Sequence, residues 1–319
     1  MRITIGVAFS LACVLWIAIG FPSARAQQAP QKPQDEPPIL KTGTNLVTLT
    51  VSVTDPQERF VTGLEAENFE VYDEKVLQKI EFFSDEDAPV SVGIIFDVSG
   101  SMKGRVNRSN IALRKFMDTC HEEDEFFLVG FNSQAKLLAD FTPNPERITS
   151  AVLLAETKGQ TALYDAVYIA TEKIRQGRHT RKALIIISDG QDNNSRYTFR
   201  EVRERVREAD VQIYSLGVTS VFSGNTLEME GQSILEELSR LTGGRAFFPS
   251  NDLELQEVIT RIGIELRHQY SIGYTPTTTD QSGNRWHKIK VKINAPKGLP
   301  TLTVRAKEGY YADFGRTQQ

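Results

Sequence analysis

Asp97, Ser99 and Ser101 stand at alternate positions in Val92-Gly93-Ile94-Ile95-Phe96-Asp97-Val98-Ser99-Gly100-Ser101-Met102, where an apolar run gives way to oxygen-bearing side chains. In an extended or gently curling segment, residues at i, i+2 and i+4 project to one side, so one carboxylate and two hydroxyls can converge. Hard oxygen donors without a thiolate or imidazole among them suit Mg²⁺, Mn²⁺ or Ca²⁺ and disfavour Zn²⁺ or Cu²⁺. Two later segments add to this one. Lys158-Gly159-Gln160-Thr161-Ala162-Leu163 sets Thr161 at the head of a helical pattern, and Ala183-Leu184-Ile185-Ile186-Ile187-Ser188-Asp189-Gly190 is a second apolar strand that ends in Asp189.

With these segments in this order, the sequence resembles a von Willebrand factor type A domain over residues 90–267. The resemblance implies a metal-ion-dependent adhesion site built from an Asp-x-Ser-x-Ser motif, a Thr and a second Asp on three separate loops. Asp97, Ser99, Ser101, Thr161 and Asp189 match those positions one for one. It further implies that the serines and often the Thr hold the ion directly while the acids bind partly through water. One position then stays open for an Asp or Glu of a partner protein. The expected ion is Mg²⁺, with Mn²⁺ or Ca²⁺ as the other candidates.

The expected function is therefore metal-dependent protein binding, in adhesion or assembly, with a protein ligand that presents an exposed acid. The alternative is a structural scaffold in which the metal only staples loops. An enzyme is a third reading, because an Asp after an apolar strand also occurs in phosphoryl-transfer enzymes with an aspartate nucleophile. That chemistry needs a second carboxylate two residues on, where this chain has Ser99. A serine hydrolase lacks its Gly-x-Ser-x-Gly, and no His lies near Ser99 or Ser101 in sequence. His121, His179, His268 and His287 are scattered without zinc-ligand spacing. No catalytic residue is assigned.

The elements that must position these residues are strands alternating with helices between Pro89 and Arg267. Such alternation implies an α/β fold: a doubly wound, mostly parallel sheet covered on both faces. Strands are expected at Ser91–Phe96, Glu125–Phe131, Lys136–Phe141, Ala183–Ser188, Val211–Val218 and Arg245–Phe248. Helices are expected at Arg105–Thr119, Pro145–Ala155, Ala162–Gln176, Thr198–Ala209, Ser233–Leu241 and Asp252–Arg267. Too few residues part the second strand from the third for a crossover, so these two should form an antiparallel hairpin at the sheet edge. In such a sheet the crevice at the topological switch point lies outside the carboxyl ends of the strands. Asp97, Asp189 and the segment bearing Thr161 all belong to that edge. The loops Gln191–Tyr197 and Ser220–Gly231 also follow strands there, and are either specificity loops or ordinary solvated connections.

The flanks read as β structure. Val47, Leu49, Val51 and Val53 alternate with polar residues up to the Asp55-Pro56 turn, and short strands are expected around Phe60-Val61, Asn68–Tyr72 and Lys79–Phe83. Alternation returns at Tyr270, Ile272 and Tyr274, from Trp286 to Ile293, and at Leu302, Val304 and Ala306. Neither group is stable alone, so the two should pack together as one β-sandwich-like domain interrupted by the metal domain. Val61-Thr62-Gly63-Leu64, Gln269-Tyr270 and Gly309-Tyr310-Tyr311 extend the resemblance to secreted bacterial von Willebrand factor type A-related proteins.

The expected division is a signal peptide at 1–26, a Pro-rich linker at 27–44, β segments at 45–88 and 268–312 around the metal domain at 89–267, and a tail at 313–319. The apolar run Ile3 to Phe21, then Pro22 and Ala24-Arg25-Ala26, reads as a cleaved secretory signal, with an uncleaved anchor as its rival. Either reading puts the remainder outside the cytoplasm, secreted or periplasmic, and cleavage leaves no membrane span. Removing 1–26 lowers Lys plus Arg from 37 to 35 against 41 Asp plus Glu, a net charge of −6 that argues against nucleic acid as partner. Cys120 is then the only thiol, so no internal disulfide can form; its expected role is that of a small packed hydrophobe.

Overall fold

The computed structural model describes residues 46–218, 226–277 and 286–312. The expected signal peptide, linker and tail lie outside the described residues, as do residues 220–225 of the expected loop Ser220–Gly231. The described residues belong to one compact unit, which begins at Thr44. None of their helices is long and apolar enough to cross a membrane.

The chain begins with strands β1 (Val47–Thr54), β2 (Phe69–Asp73), β3 (Val76–Gln78) and β4 (Ile80–Ser84). It then enters the α/β part through β5 (Val90–Asp97), α1 (Val106–Met117), β6 (Glu125–Phe131), β7 (Ala135–Thr142), α2 (Pro145–Leu154) and α3 (Leu163–Ile174). That part continues with β8 (Arg181–Ser188), α4 (Phe199–Glu208), β9 (Gln212–Gly217), α5 (Thr226–Leu241), β10 (Ala246–Phe247) and α6 (Asp252–Arg267). Strands β11 (Tyr270–Tyr274), β12 (Trp286–Ile293), β13 (Thr303–Arg305) and β14 (Gly309–Tyr311) complete it.

The central sheet has the order β10-β9-β8-β5-β6-β7. All neighbours in it are parallel except β6 and β7, the antiparallel edge hairpin expected from their short connection. Strand β5 is buried at all eight positions, which is what its unbroken apolar run requires of a strand covered on both faces. One face packs on α1, α2 and α6 through Leu113, Phe116, Ile148, Val152, Ile259 and Ile262. The other packs on α3, α4 and α5 through Val167, Ala170, Val202, Val206, Leu235 and Leu238. From β5 the chain moves to β6 on one side, and later returns to β8 on the other. The switch point therefore falls between β5 and β8, at the ends that carry Asp97 and Asp189.

The flanking strands form two antiparallel sheets, β13-β1-β11-β4 and β14-β12-β2-β3, each drawing strands from both sides of the α/β part. Leu49, Val51 and Ile272 from one sheet meet Phe69, Val71 and Ile289 from the other in a third core. Buried Asp73 gives that core a polar centre. It accepts hydrogen bonds from the hydroxyls of Tyr274 (3.1 Å) and Tyr310 (2.9 Å) and pairs with His287 Nδ1 at 3.1 Å. Charged contacts join the sandwich to the α/β part: Arg305 to buried Glu265 at 2.6 Å, Arg181 to the carbonyls of Glu86 and Gln269, and Glu58 to Arg245 and Arg261.

The elements depart from the sequence reading in a few places. Strands β3 and β14 were not expected, and Phe60 makes only an isolated bridge to Thr54. Helix α5 starts at Thr226 instead of Ser233, so part of the expected loop Ser220–Gly231 is helical. Gly231, expected as the end of that loop, lies inside α5 with its bare backbone against Asp189: a Cβ there would sit 2.7 Å from the Asp189 carbonyl oxygen. Close packing outweighs the helix propensity lost by a glycine, about 1 kcal/mol.

Candidate metal centre

Alternate residues of the loop after β5 go to opposite sides. Val98 and Met102 are buried in the core beneath, while Asp97, Ser99 and Ser101 supply oxygens. A short 3₁₀ turn at Gly100–Met102 curls the segment, with the N–H of Met102 donating to the Ser99 carbonyl at 3.1 Å. The hydroxyls of Ser99 and Ser101 come to 2.9 Å of each other. Asp97 is fully buried. Its Oδ1 accepts the Ser99 N–H at 2.8 Å, and its Oδ2 accepts the Ser188 hydroxyl at 2.7 Å.

The segment bearing Thr161 is tied to this loop by backbone bonds. The N–H of Lys158 donates to Val98 O (3.1 Å), and that of Gly100 donates to Gly159 O (3.0 Å). Gly159 has a left-handed φ of 84°, and a Cβ on it would run into Ser133 Oγ. Thr161 itself is held from the third loop. Its N–H donates to Asn193 Oδ1 at 2.9 Å, and its carbonyl accepts the N–H groups of Asn193 and Asn194 at 3.0 and 3.1 Å. Asp189, buried after β8, accepts the Gln191 N–H at 3.2 Å. The segments that carry all five residues thus meet at one edge of the sheet.

The electrostatics of the cluster are those of an uncompensated acid pair. Burial pushes the Asp97 carboxyl up to about 6; hydrogen bonds from Ser99 and Ser188 work against this, and the charge of Asp189 adds to it. Among the described residues no Arg or Lys forms an ion pair with Asp97 or Asp189, and their hydrogen-bond partners are neutral. A buried carboxylate next to a second acid costs free energy unless a positive charge answers it. Among the described residues no three of His, Cys, Asp and Glu gather as metal ligands. A cation here would therefore have to use hydroxyls beside the two acids. That donor set fits a hard divalent ion and not zinc.

Ser188 was missed in the sequence because it reads as the last residue of an apolar strand. Its contact with Asp97 exists only because β5 and β8 are neighbours. Asp165, Asp192, Asn193 and Ser195 were also missed as individual residues, although Asp192, Asn193 and Ser195 belong to the loop Gln191–Tyr197. Asp192 Oδ2 accepts the Tyr164 N–H (3.0 Å), and Ser195 Oγ accepts the Asp165 N–H (3.1 Å). The loop thereby caps the amino end of α3, which has no capping side chain of its own. The four histidines are engaged elsewhere: His121 with Glu123, His179 with Arg178 and the Glu123 carbonyl, His268 with the Ile264 carbonyl, and His287 with Asp73.

A doubly wound sheet with a hydroxyl and carboxylate cluster at its switch point defines an architecture and not an activity. Residues 92–191, a span that contains all five candidate ligands, match the family model described as von Willebrand factor type A domain. That span carries a von Willebrand factor type A domain. The chain is similar to an uncharacterized protein of Borreliella burgdorferi, 23% identical over 54% of this chain and 57% of that one. It is also similar to inter-alpha-trypsin inhibitor heavy chain H3 of Rattus norvegicus, 27% identical over 47% of this chain and 19% of that one. The chain therefore spans about half of the first relative's length and a fifth of the second's. Among solved structures, a von Willebrand factor type A protein from Catenulispora acidiphila aligns with a TM-score of 0.48 and 12% identity over 84% of this chain and 75% of that one.

Proposed function

We propose that this chain is an extracytoplasmic protein-binding module, used in adhesion or assembly, whose divalent cation accepts an acidic side chain from a partner protein. The observation that carries the proposal is the buried Asp97 carboxylate, set beside Asp189 and the paired serine hydroxyls with no cationic side chain among the described residues to balance it. Ser99, Ser101 and Thr161 would hold Mg²⁺, or else Mn²⁺ or Ca²⁺, together with Asp97 and Asp189. The ion would supply a Lewis-acidic position for a carboxylate. Neutral hydroxyl ligands leave it electrophilic, which favours capture of an incoming acid.

Turnover is disfavoured by the chain's own groups. No imidazole reaches the cluster, the four histidines being engaged elsewhere, so no histidine base is positioned to activate water or a hydroxyl. The apolar segment at 3–21 supports an extracytoplasmic location.

A cation that binds only the native state stabilises it by about 2.7 kcal/mol at a hundred times its Kd. Magnesium should therefore raise the melting temperature of the wild type in a concentration-dependent way and leave Asp97→Ala unmoved. Capture of a partner from an extracytoplasmic extract should be lost in EDTA and weakened in Thr161→Ala. Asp97→Ala responding to magnesium like wild type would overturn the ligand assignment; capture that persists in EDTA would favour a scaffold.

A further inference from the structure

Next to the segment that holds Thr161, and lined by none of the five candidate ligands, a cavity of about 420 Å³ is bounded by Ser133, Gln134, Ala135, Asp165, Asn194 and Arg196. Arg196 is held by its base and free at its head. Its N–H and Nε–H donate to Asp165 Oδ1 and Oδ2 at 2.9 and 3.2 Å, yet its side chain is 83% exposed. Asp165 does not need that guanidinium. It is buried in the first turn of α3 and also accepts the Tyr197 N–H at 3.1 Å, so backbone donors and the helix amino end already stabilise it. The guanidinium end of the pair lies in solvent, where its attraction to Asp165 is screened. With Nε–H directed at Asp165, the two terminal nitrogens of the fork are left for a planar oxyanion.

The position relative to the metal centre is set by the chain. Asn194 N–H bonds the Thr161 carbonyl, and Asn194 Nδ2 bonds the Ser133 carbonyl at 2.7 Å, which fixes the loop over the Thr161 segment only two residues before Arg196. Two residues of chain span at most roughly 7 Å, and an extended peptide advances roughly 3.3 Å per residue. An extended peptide with one acid at the metal would carry a second acid, two to four residues on, roughly 7 to 13 Å along its length.

We propose that Arg196 and this cavity form a second carboxylate subsite, so that the partner is recognised through a pair of acids on one extended segment and not through a single Asp or Glu. The inference rests on the metal site proposed above, and the experiment separates the two. Fluorescein-labelled Gly-Ser peptides carrying one Asp, or that Asp with a Glu two, three or four residues further on, are titrated in magnesium at low salt and in EDTA, with binding read by anisotropy. Wild type should bind the best two-acid peptide about three- to fivefold more tightly than the one-acid peptide, the gain expected of an exposed charge pair. Arg196→Gln should lose that preference while keeping magnesium-dependent binding of the one-acid peptide, and should melt within about 3 °C of wild type. If wild type binds the one-acid peptide in magnesium but gains nothing from a second acid, the subsite is wrong and the metal site stands. If Arg196→Gln weakens both peptides alike and lowers the melting temperature further, Arg196 is a structural brace and the proposal fails. If no peptide binds in magnesium, both readings fall.

Discussion

Burial acts in the same direction on Asp97 and Cys120 and means different things for each. For Asp97 it raises the cost of a charge that a cation would answer. For Cys120, burial and then the nearby charge of Asp124 push the thiol up to about 12. Cys120 packs against the α1, α2 and α6 core, and its Sγ–H donates to the Phe116 carbonyl at 3.4 Å. Because the thiolate is the reactive form, Cys120 should be alkylated by iodoacetamide at pH 8 on the order of a hundredfold more slowly than free cysteine, as read by mass analysis of its peptide. Labelling at the rate of a free thiol would show that the site opens. The sequence reading of Cys120 as a packed hydrophobe drew on its place after Phe116 in a helical pattern, a local signal. Its neighbours Asp124 and Arg267 meet only in the fold.

Helices α3 and α4 show how far element boundaries can be read locally. Thr198 and Glu201 cap α4 reciprocally, Thr198 Oγ1 accepting the Glu201 N–H and Glu201 Oε2 accepting the Thr198 N–H, and this signature is written within four residues. Helix α3 has no such signature because Asp192 and Ser195 supply its caps from about thirty residues away. The loop Gln191–Tyr197 is accordingly part of the support of Thr161 as well as part of the rim. Asp192→Ala should cost about 1 kcal/mol in urea unfolding, the usual loss of a capping acid. It should also shrink the magnesium-induced rise in melting temperature, because the loop that grips Thr161 loosens. A variant with wild-type stability and a full magnesium response would mean that the loop supports neither α3 nor the centre.

The two parts of the molecule are clamped by charges that no local pattern announces. Glu58, in the turn after β1, has a left-handed φ of 61° and reaches Arg245 at 2.5 Å and Arg261 at 2.6 Å across the joint. The hydrogen bond from Arg245, aided by the charges of Arg245, Arg261 and Arg305, holds the Glu58 carboxyl below its usual range. A folded-state value below the unfolded one contributes stability that is complete above the unfolded value and lost as pH falls through the folded one. Glu58→Gln should therefore melt a few degrees below wild type at pH 7, and the difference should shrink as pH falls below the usual carboxylate range. A gap that does not narrow with acid would assign the loss to packing rather than to charge.

The sequence by itself determined the periodic elements and the candidate centre. Apolar runs such as Val92–Phe96 and Leu184–Ile187 have to be covered on both faces, strands alternating with helices have to cross over, and alternate Asp and Ser residues have to share a side. Those are constraints between neighbours in the chain. Tertiary structure alone decided what crosses the chain: Ser188 beside Asp97, the caps lent to α3, the glycine of α5 pressed on Asp189, and Glu58 between two arginines. Each joins residues tens to hundreds of positions apart, where no local periodicity carries the signal. The two flanking sheets lie between these cases. Their alternation was legible, while the pairing of β1 with β11 and of β2 with β12 was fixed by the shared core of Leu49, Val71, Ile272 and Ile289.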